Sequence, residues 1–166
     1  MRYLLAVKAA VSIAAGLAIT FSQAHSATVG LLVLGVYGLA YAVLVSAFAL
    51  RFETKNFVVG ELPLVIVALF VGAFALLNGS AGASFFVVLV SVWGLSFAGF
   101  ETWRAFRARL ATGLGREHLI SAVLAAVLGV LFLTVPMDVV SSVGFFSAYL
   151  ILSSVHTGIA AFSPKP

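Results

Sequence analysis

The sequence predicts an all-α integral membrane protein whose six transmembrane helices form three parallel two-helix hairpin repeats. Three observations support this class: the composition, six long apolar runs, and the placement of the basic residues. Of the 166 residues, 63% are hydrophobic and only 8% are charged, and the mean hydropathy is +1.23. A soluble domain carries about 25% charged residues. This number of charged residues is too small to cover the surface of a soluble globule of this size. Lipid must therefore surround most of the chain.

Six apolar runs are each long enough for a membrane-spanning helix, which needs roughly 20 residues. The runs are Tyr3–Ser22, Ala27–Leu50, Phe57–Leu77, Gly82–Trp103, Leu119–Val135 and Val139–Phe162. They are too long and continuous for lipid-facing β-strands. Short links join them, and the longest is Arg104–His118. Residues 1–166 are therefore predicted to form a single transmembrane domain, with no room for a soluble catalytic domain.

All basic residues fall on one side of the membrane when six spans are assumed. They are Arg2, Lys8, Arg51, Lys55, Arg104, Arg107, Arg109, Arg116 and Lys165. The loops on the other side contain a single formal charge, Asp138. Because basic residues are retained in the cytoplasm during insertion, both termini are predicted to be cytoplasmic. The first run also resembles a secretory signal, but we expect it to be retained, with Lys8 snorkelling toward the headgroups.

A shift of 56 residues aligns the chain with itself. It places Tyr37-Gly38-Leu39 on Trp93-Gly94-Leu95, and a second shift places Trp93 on Tyr149. The predicted repeats are residues 1–56, 57–112 and 113–166, and the first helix of each carries a mid-span glycine: Gly16, Gly72 and Gly129. Two crossings per repeat make the units parallel, with a symmetry axis along the membrane normal.

The second helix of each repeat carries a stripe of mostly small residues at helical spacing. In the second predicted repeat the stripe is Ser84, Val87, Ser91, Gly94, Ala98, Glu101 and Ala105. Small residues let helices approach closely in lipid. These faces are predicted to pack inward, while Phe, Leu and Val contact lipid. Helix packing and a lined pathway both remain open as interpretations of the stripe.

Glu101 and His156 form the candidate polar pair, because the 56-residue shift places Glu101 next to His156 in depth. Ionisable residues inside a membrane are functional suspects. A histidine–carboxylate pair could relay protons, and a neutral histidine could bind a metal. In the alternative, Glu101 is simply neutralised by Arg104 one helical turn away. No catalytic, cofactor-binding or metal-binding residue is predicted, and the chain has no cysteine.

The other charged residues have structural interpretations. Glu61 and Pro63 are predicted to open the third helix, where a carboxylate complements the helix dipole, and Asp138 is predicted to cap the sixth helix. A basic link could contact anionic lipid or serve only as a positive-inside anchor; its residues are Arg104, Arg107, Arg109 and Arg116. Nucleic-acid binding needs a basic surface free of the membrane, so it is excluded.

The stretch Trp93–Arg109, with its aromatic helix end and Arg-rich link, resembles the end of a repeat in the HdeD family of bacterial membrane proteins. The segment His118–Phe162, with Gly129, Pro136 and Gly158, is similar to the next repeat. The first two outer turns lack the proline of this pattern. The resemblance implies a bacterial inner-membrane protein, and the family has no established catalytic residues. The name of the family derives from bacterial acid resistance.

We therefore expect a non-enzymatic multi-pass membrane protein of HdeD-like type, with a protective role under acid or envelope stress. Two alternatives remain open. One is an accessory subunit of a larger membrane complex, and the other is a small transporter or channel that uses the seam near Glu101 and His156. Nucleotide-binding, zinc-protease and hydrolase motifs are absent from the sequence. The interior is expected to offer no concave site with converging polar groups.

Overall fold

The computed structural model describes residues 2–52 and 55–163, which form six α-helices and no strand. The helices are α1 (Arg2–Thr20), α2 (Ala27–Phe52), α3 (Lys55–Leu77), α4 (Ala83–Arg107), α5 (Gly113–Thr134) and α6 (Val139–Phe162). Each is long and apolar enough to cross a membrane. The prediction of six spanning helices is confirmed. Lys165 and the side chains of Arg2 and Lys55 lie outside what the structure describes.

The link between α4 and α5 is much shorter than predicted. The Thr112 hydroxyl accepts the backbone N–H of Gly115 at 3.0 Å and caps α5, so residues 113–118 are helical. Arg109 has a positive φ of 64° and reverses the chain. Gly115 lies against it, since a Cβ there would be 2.3 Å from the Arg109 carbonyl oxygen. This tight turn carries α5 straight back along α4.

Close and loose helix pairs alternate through the bundle. The closest packing joins α2 to α3, α4 to α5, and α6 to α1, whereas α1–α2, α3–α4 and α5–α6 contact each other less. The predicted hairpins are therefore the loose pairs. Each close pair instead joins the second helix of one predicted repeat to the first helix of another.

Mid-span glycines explain the close pairs. A Cβ on Gly72 would lie 2.9 Å from the backbone N of Leu39, and one on Gly94 would lie 2.8 Å from the backbone N of Gly129. Where α6 crosses α1, the Ser147 hydroxyl donates a hydrogen bond of 2.9 Å to the Gly16 carbonyl. Because glycine has no side chain, helices that cross at a glycine approach closely enough for extensive van der Waals contact.

The predicted inward faces are buried in their central parts. The buried members in α4 are Ser91, Gly94, Ala98, Glu101 and Ala105. Large apolar side chains cover the outside, including Phe70, Phe74, Val123, Val127, Leu152 and Ile159, each at least 52% exposed. The prediction that the small-residue faces pack inward is confirmed, but large side chains are buried as well, among them Trp93, Phe86 and Phe146.

Aromatic side chains fill the bundle axis in two layers. We call the end where α1 begins and α6 ends the basic end. A middle layer contains Tyr37, Tyr41, Trp93 and Phe97, with ring centroids 4.1–6.3 Å apart. Toward the opposite end, Phe86 packs edge-on against Phe132 and Phe146. These layers position the polar residues that lie between them and the basic end.

Candidate functional site: a buried ionic cavity

Five ionisable side chains lie at one depth near the basic end. Each is five or six residues from the end of its helix, which places it roughly 8–9 Å inside at 1.5 Å per residue. They are Lys8 in α1, Glu61 in α3, Glu101 in α4, His118 in α5 and His156 in α6. Helices from all three predicted repeats therefore contribute charge to a single layer.

A continuous chain of ion pairs joins four of the helices. Glu61 accepts hydrogen bonds from Lys8 Nζ at 2.6 Å and from Arg104 Nη2 at 2.7 Å. The Arg104 guanidinium also donates through Nη1 to Glu101 at 3.0 Å. The second oxygen of Glu101 lies 2.6 Å from His118 Nδ1. We call these five residues the ionic chain. Their side chains are only 6–15% exposed.

The hydrogen bonds fix which nitrogen of each histidine carries a proton. A carboxylate can only accept, so His118 donates from Nδ1 to Glu101. His156 donates from Nε2 to the backbone carbonyl of Glu117 at 3.0 Å. The second nitrogen of each ring has no direct hydrogen bond among the described residues.

The ionic chain borders a cavity of about 100 Å³ to which all six helices contribute. Its polar lining includes Ser12, Tyr37, Tyr41, Glu117, Ser121, Tyr149, Ser153, His156 and Thr157, in addition to the members of the ionic chain. The middle aromatic layer closes it on the side away from the basic end. A polar space of this size has room for several water molecules or for one small ligand. We call it the ionic cavity.

The interior therefore differs from the expected apolar seam. The expectation that no concave site with converging polar groups exists is wrong, because helices from all three predicted repeats bring such groups together. The stripe of α4 supplies Glu101, but Lys8, Glu61 and His118 come from the first helices of the three repeats, for which no inward face was predicted. What the cavity does chemically is set by two paired cations, three carboxylates and two histidines.

Glu101 and His156 both line the ionic cavity, but they are bonded to different partners. Glu101 pairs with His118 and Arg104, and His156 pairs with the Glu117 backbone. The physical reason is that α4 packs closely on α5, so a histidine of α5 reaches Glu101. The local bond to Arg104 predicted as the alternative is confirmed.

Glu61 and Lys8 have roles that differ from their predicted ones. Because α3 begins at Lys55, Glu61 lies beyond its first turn and is 5% exposed. Lys8 turns inward to Glu61 instead of snorkelling to the headgroups. Pro63 is likewise inside α3 and does not open it. The sequence held one signal for this pair: a lysine and a glutamate of opposite charge, each interrupting an apolar run on the same side.

The predicted anionic-lipid contacts divide into two groups. Arg104 is buried in the ionic chain, which corrects its assignment to the lipid surface. Arg107, Arg109 and Arg116 are exposed, and the Arg107 guanidinium lies 5.0 Å from the centre of the Trp103 ring. Contact of these three residues with anionic lipid stays a prediction.

Asp138 caps α6 as predicted. Its carboxylate accepts the backbone N–H and the hydroxyl of Ser141, both at 2.8 Å. These hydrogen bonds hold the pKa of Asp138 below its ordinary value of 3.8. The residue lies in the outer turn, at the other end of the bundle from the ionic cavity.

Metal binding finds no support in the side chains that the structure describes, because no three His, Asp or Glu residues there are grouped as ligands. Comparisons with protein-family models, with curated proteins and with solved structures find no match for this chain.

Proposed function

We propose that this chain is a non-enzymatic multi-pass membrane protein of HdeD-like type that binds a small polar ligand in the ionic cavity. We place it in a bacterial inner membrane with both termini in the cytoplasm, in a protective role under acid or envelope stress. One observation supports the binding role above all: all six helices converge on one polar cavity lined by two cations, three carboxylates and two histidines.

The energetic cost of the ionic chain favours a functional role for it. Each ion taken out of water costs several kcal/mol, and well-packed apolar residues often stabilise a protein equally well. In a membrane, buried ionisable residues usually mark functional sites. Helices with glycine crossings already pack closely without charges. A cavity lined by this many polar groups is therefore more than helix packing requires.

The hydrogen-bonding state of the carboxylates supports a role in binding over catalysis. Glu61 and Glu101 each accept two charge-assisted hydrogen bonds from the chain itself. A general base needs a lone pair directed at the substrate, and these pairs hold the oxygens in fixed positions. The arrangement suits a preorganised wall against which a ligand can lie.

The three predicted repeats also fit the observed packing. The 56-residue shift converts the crossing of Gly38 with Gly72 into that of Gly94 with the region of Gly129. A further shift leads to residue 150, beside which Gly16 packs. We therefore propose a threefold duplication in which close pairs form between repeats rather than within them.

Filling the cavity tests the binding role. We expect Ser121→Phe to abolish stabilisation by any member of a panel of small cations, anions and neutral solutes, measured by thermal unfolding in nanodiscs. The matched control is Val123→Phe, which places the same side chain on the 53% exposed outer face of the same helix. It should behave like the unmodified protein. Ligand stabilisation that survives Ser121→Phe, or the absence of any stabilising solute, would contradict the proposal.

Transport is a second candidate, favoured by the same convergence of polar side chains. The packed Phe86, Phe132 and Phe146 side chains block the axis beyond the aromatic layer. Transport would therefore require a second conformation with those rings separated. Uptake of the stabilising solute into proteoliposomes would identify a transporter, whereas binding without uptake would support the first proposal. The accessory-subunit alternative stays a prediction that co-purification in mild detergent can test.

A further inference from the structure

We infer that the ligand of the ionic cavity is a compact organic ammonium ion, with the carboxylate of Glu117 as its counterion. This inference rests on the binding role proposed above and names the chemical class of the ligand. Three features of the cavity lead to it: the balance of charge, the way the chain holds its own ammonium group, and the aromatic wall.

The cavity has one more carboxylate than it has permanent cations. Lys8 and Arg104 form ion pairs with Glu61 and Glu101, so these four charges neutralise one another. Glu117 also lines the cavity, and its side chain makes no hydrogen bond or ion pair among the described residues; only its backbone carbonyl is bonded, to His156. Counting only the lysine, arginine and glutamate side chains that line the cavity, two positive charges face three negative ones, and Glu117 is the carboxylate without an ion pair among the described residues. Such a site attracts a cation and repels an anion.

The cavity wall already holds an ammonium group, that of Lys8. Its Nζ lies 2.6 Å from a Glu61 oxygen and 5.4 Å from the centre of the Tyr41 ring. A carboxylate and an aromatic face together stabilise ammonium ions, the latter by about 0.5–2 kcal/mol. Tyr37 and Tyr149 line the same space. The cavity therefore has aromatic rings, those of Tyr37 and Tyr149, in addition to the Tyr41 ring that Lys8 contacts.

Size limits the ligand to a few carbon atoms. About 100 Å³ accommodates an ion such as choline, but the aromatic layer prevents a long chain from continuing along the axis. The hydroxyls of Ser121 and Thr157 can bond a polar group on the ligand. A small hydroxylated ammonium ion satisfies the charge, the aromatic wall and the hydroxyls at once.

Trp93 provides a reporter for binding in the full-length protein. The chain has two tryptophans, so the Trp103→Phe variant retains Trp93 as its single tryptophan. The centroid of its ring lies 5.1 Å from that of the Tyr37 ring and 6.0 Å from that of the Tyr41 ring. Both tyrosines line the cavity. We propose titrating this variant in nanodiscs with choline, with the uncharged isostere 3,3-dimethylbutan-1-ol, and with acetate, while following Trp93 emission.

We expect choline to change Trp93 emission saturably, and the isostere and acetate to have no effect. Glu117→Gln should weaken choline binding by at least about tenfold, as expected for loss of a charged partner. Asp138→Asn makes the same chemical change in the outer turn and should leave binding unchanged. Binding of acetate or the isostere in place of choline would overturn the ammonium inference and leave the binding role standing. If none of the three binds and the solute panel also fails, both fall.

Discussion

Glu61 shows how much a single side chain can contribute in this bundle. It is 5% exposed, it bonds Lys8 from α1 and Arg104 from α4, and it therefore joins three helices at one carboxylate. Two of those helices, α3 and α4, form a loose pair. The ion pair supplies an attraction that close van der Waals packing does not provide there.

Replacing Glu61 by glutamine should destabilise the protein strongly. Glu61→Gln leaves Lys8 without an ion-pair partner among the described residues, and breaking a buried pair in this way costs about 3–5 kcal/mol. Thermal or chemical unfolding in detergent micelles measures the loss. Asp138→Asn is the control, because that carboxylate is exposed and asparagine caps a helix about as well as aspartate.

A double substitution separates ion pairing from packing. If the pair is responsible, Lys8→Met combined with Glu61→Gln should be less destabilising than the sum of the two single changes. Strict additivity of the two losses would indicate that Glu61 and Lys8 do not interact energetically.

Asp138 should make the stability of α6 depend on acidity. Its pKa is lower in the folded protein than the ordinary 3.8, because Ser141 bonds the carboxylate. Its contribution is therefore fully present above that value and is lost as the pH falls through the folded pKa. We expect Asp138→Ala to be less stable than the parent at neutral pH, with the difference shrinking below about pH 3.8. A difference that stays constant down to pH 2 would contradict this role.

At the scale of helices, the glycine crossings determine which pairs are close. Gly94 and Gly99 lie in the same helix, but only Gly94 faces another backbone. A Cβ on Gly94 would lie 2.8 Å from both the Ala125 carbonyl oxygen and the Gly129 nitrogen, whereas nothing lies within 4 Å of one on Gly99. The two positions therefore form a matched pair.

Gly94→Ala should destabilise the bundle by about 1–3 kcal/mol, the usual cost of overpacking. Gly99→Ala should be neutral or stabilise by up to about 1 kcal/mol, because alanine favours helix. Comparison of the two unfolding midpoints in one detergent provides the measurement. Equal midpoints would show that α4 and α5 can separate at no cost.

Helix existence and inward faces could be predicted from the sequence because both depend on local composition. Ser91, Gly94 and Ala98 form a small-residue stripe whatever the neighbouring helix is. The partner of Glu101 could not be predicted, because a repeat shift gives equivalent depth but not which helices are adjacent. His118 was missed for a different reason: the Thr112 cap extends α5 through a segment that appeared to be a link.

For the molecule as a whole, the described basic side chains lie at or near one end of the bundle, and their orientation in the membrane can be tested directly. The chain has no cysteine, so single cysteines introduce unique labelling sites. Ala111 and Ser80 are both exposed and lie in turns at opposite ends of the bundle. They suit an accessibility experiment in intact cells.

Positive-inside orientation predicts opposite labelling of the two sites. A membrane-impermeant maleimide should react from outside with the Ser80→Cys protein and not with the Ala111→Cys protein, until the cells are permeabilised. Labelling of both from outside, or of Ala111→Cys alone, would refute the proposed orientation of the termini.

The close pairing of α1 with α6 links the order of synthesis to the completion of the bundle. Because α1 is synthesised before its main partner α6, the surface of α1 around Gly16 stays uncovered by that partner until residues 147–151 have entered the membrane. Lys8 likewise gains its ion-pair partner Glu61 only when α3 has been made. An unfinished chain thus exposes an uncovered glycine face, a feature by which cellular quality control could distinguish an incomplete bundle from a complete one.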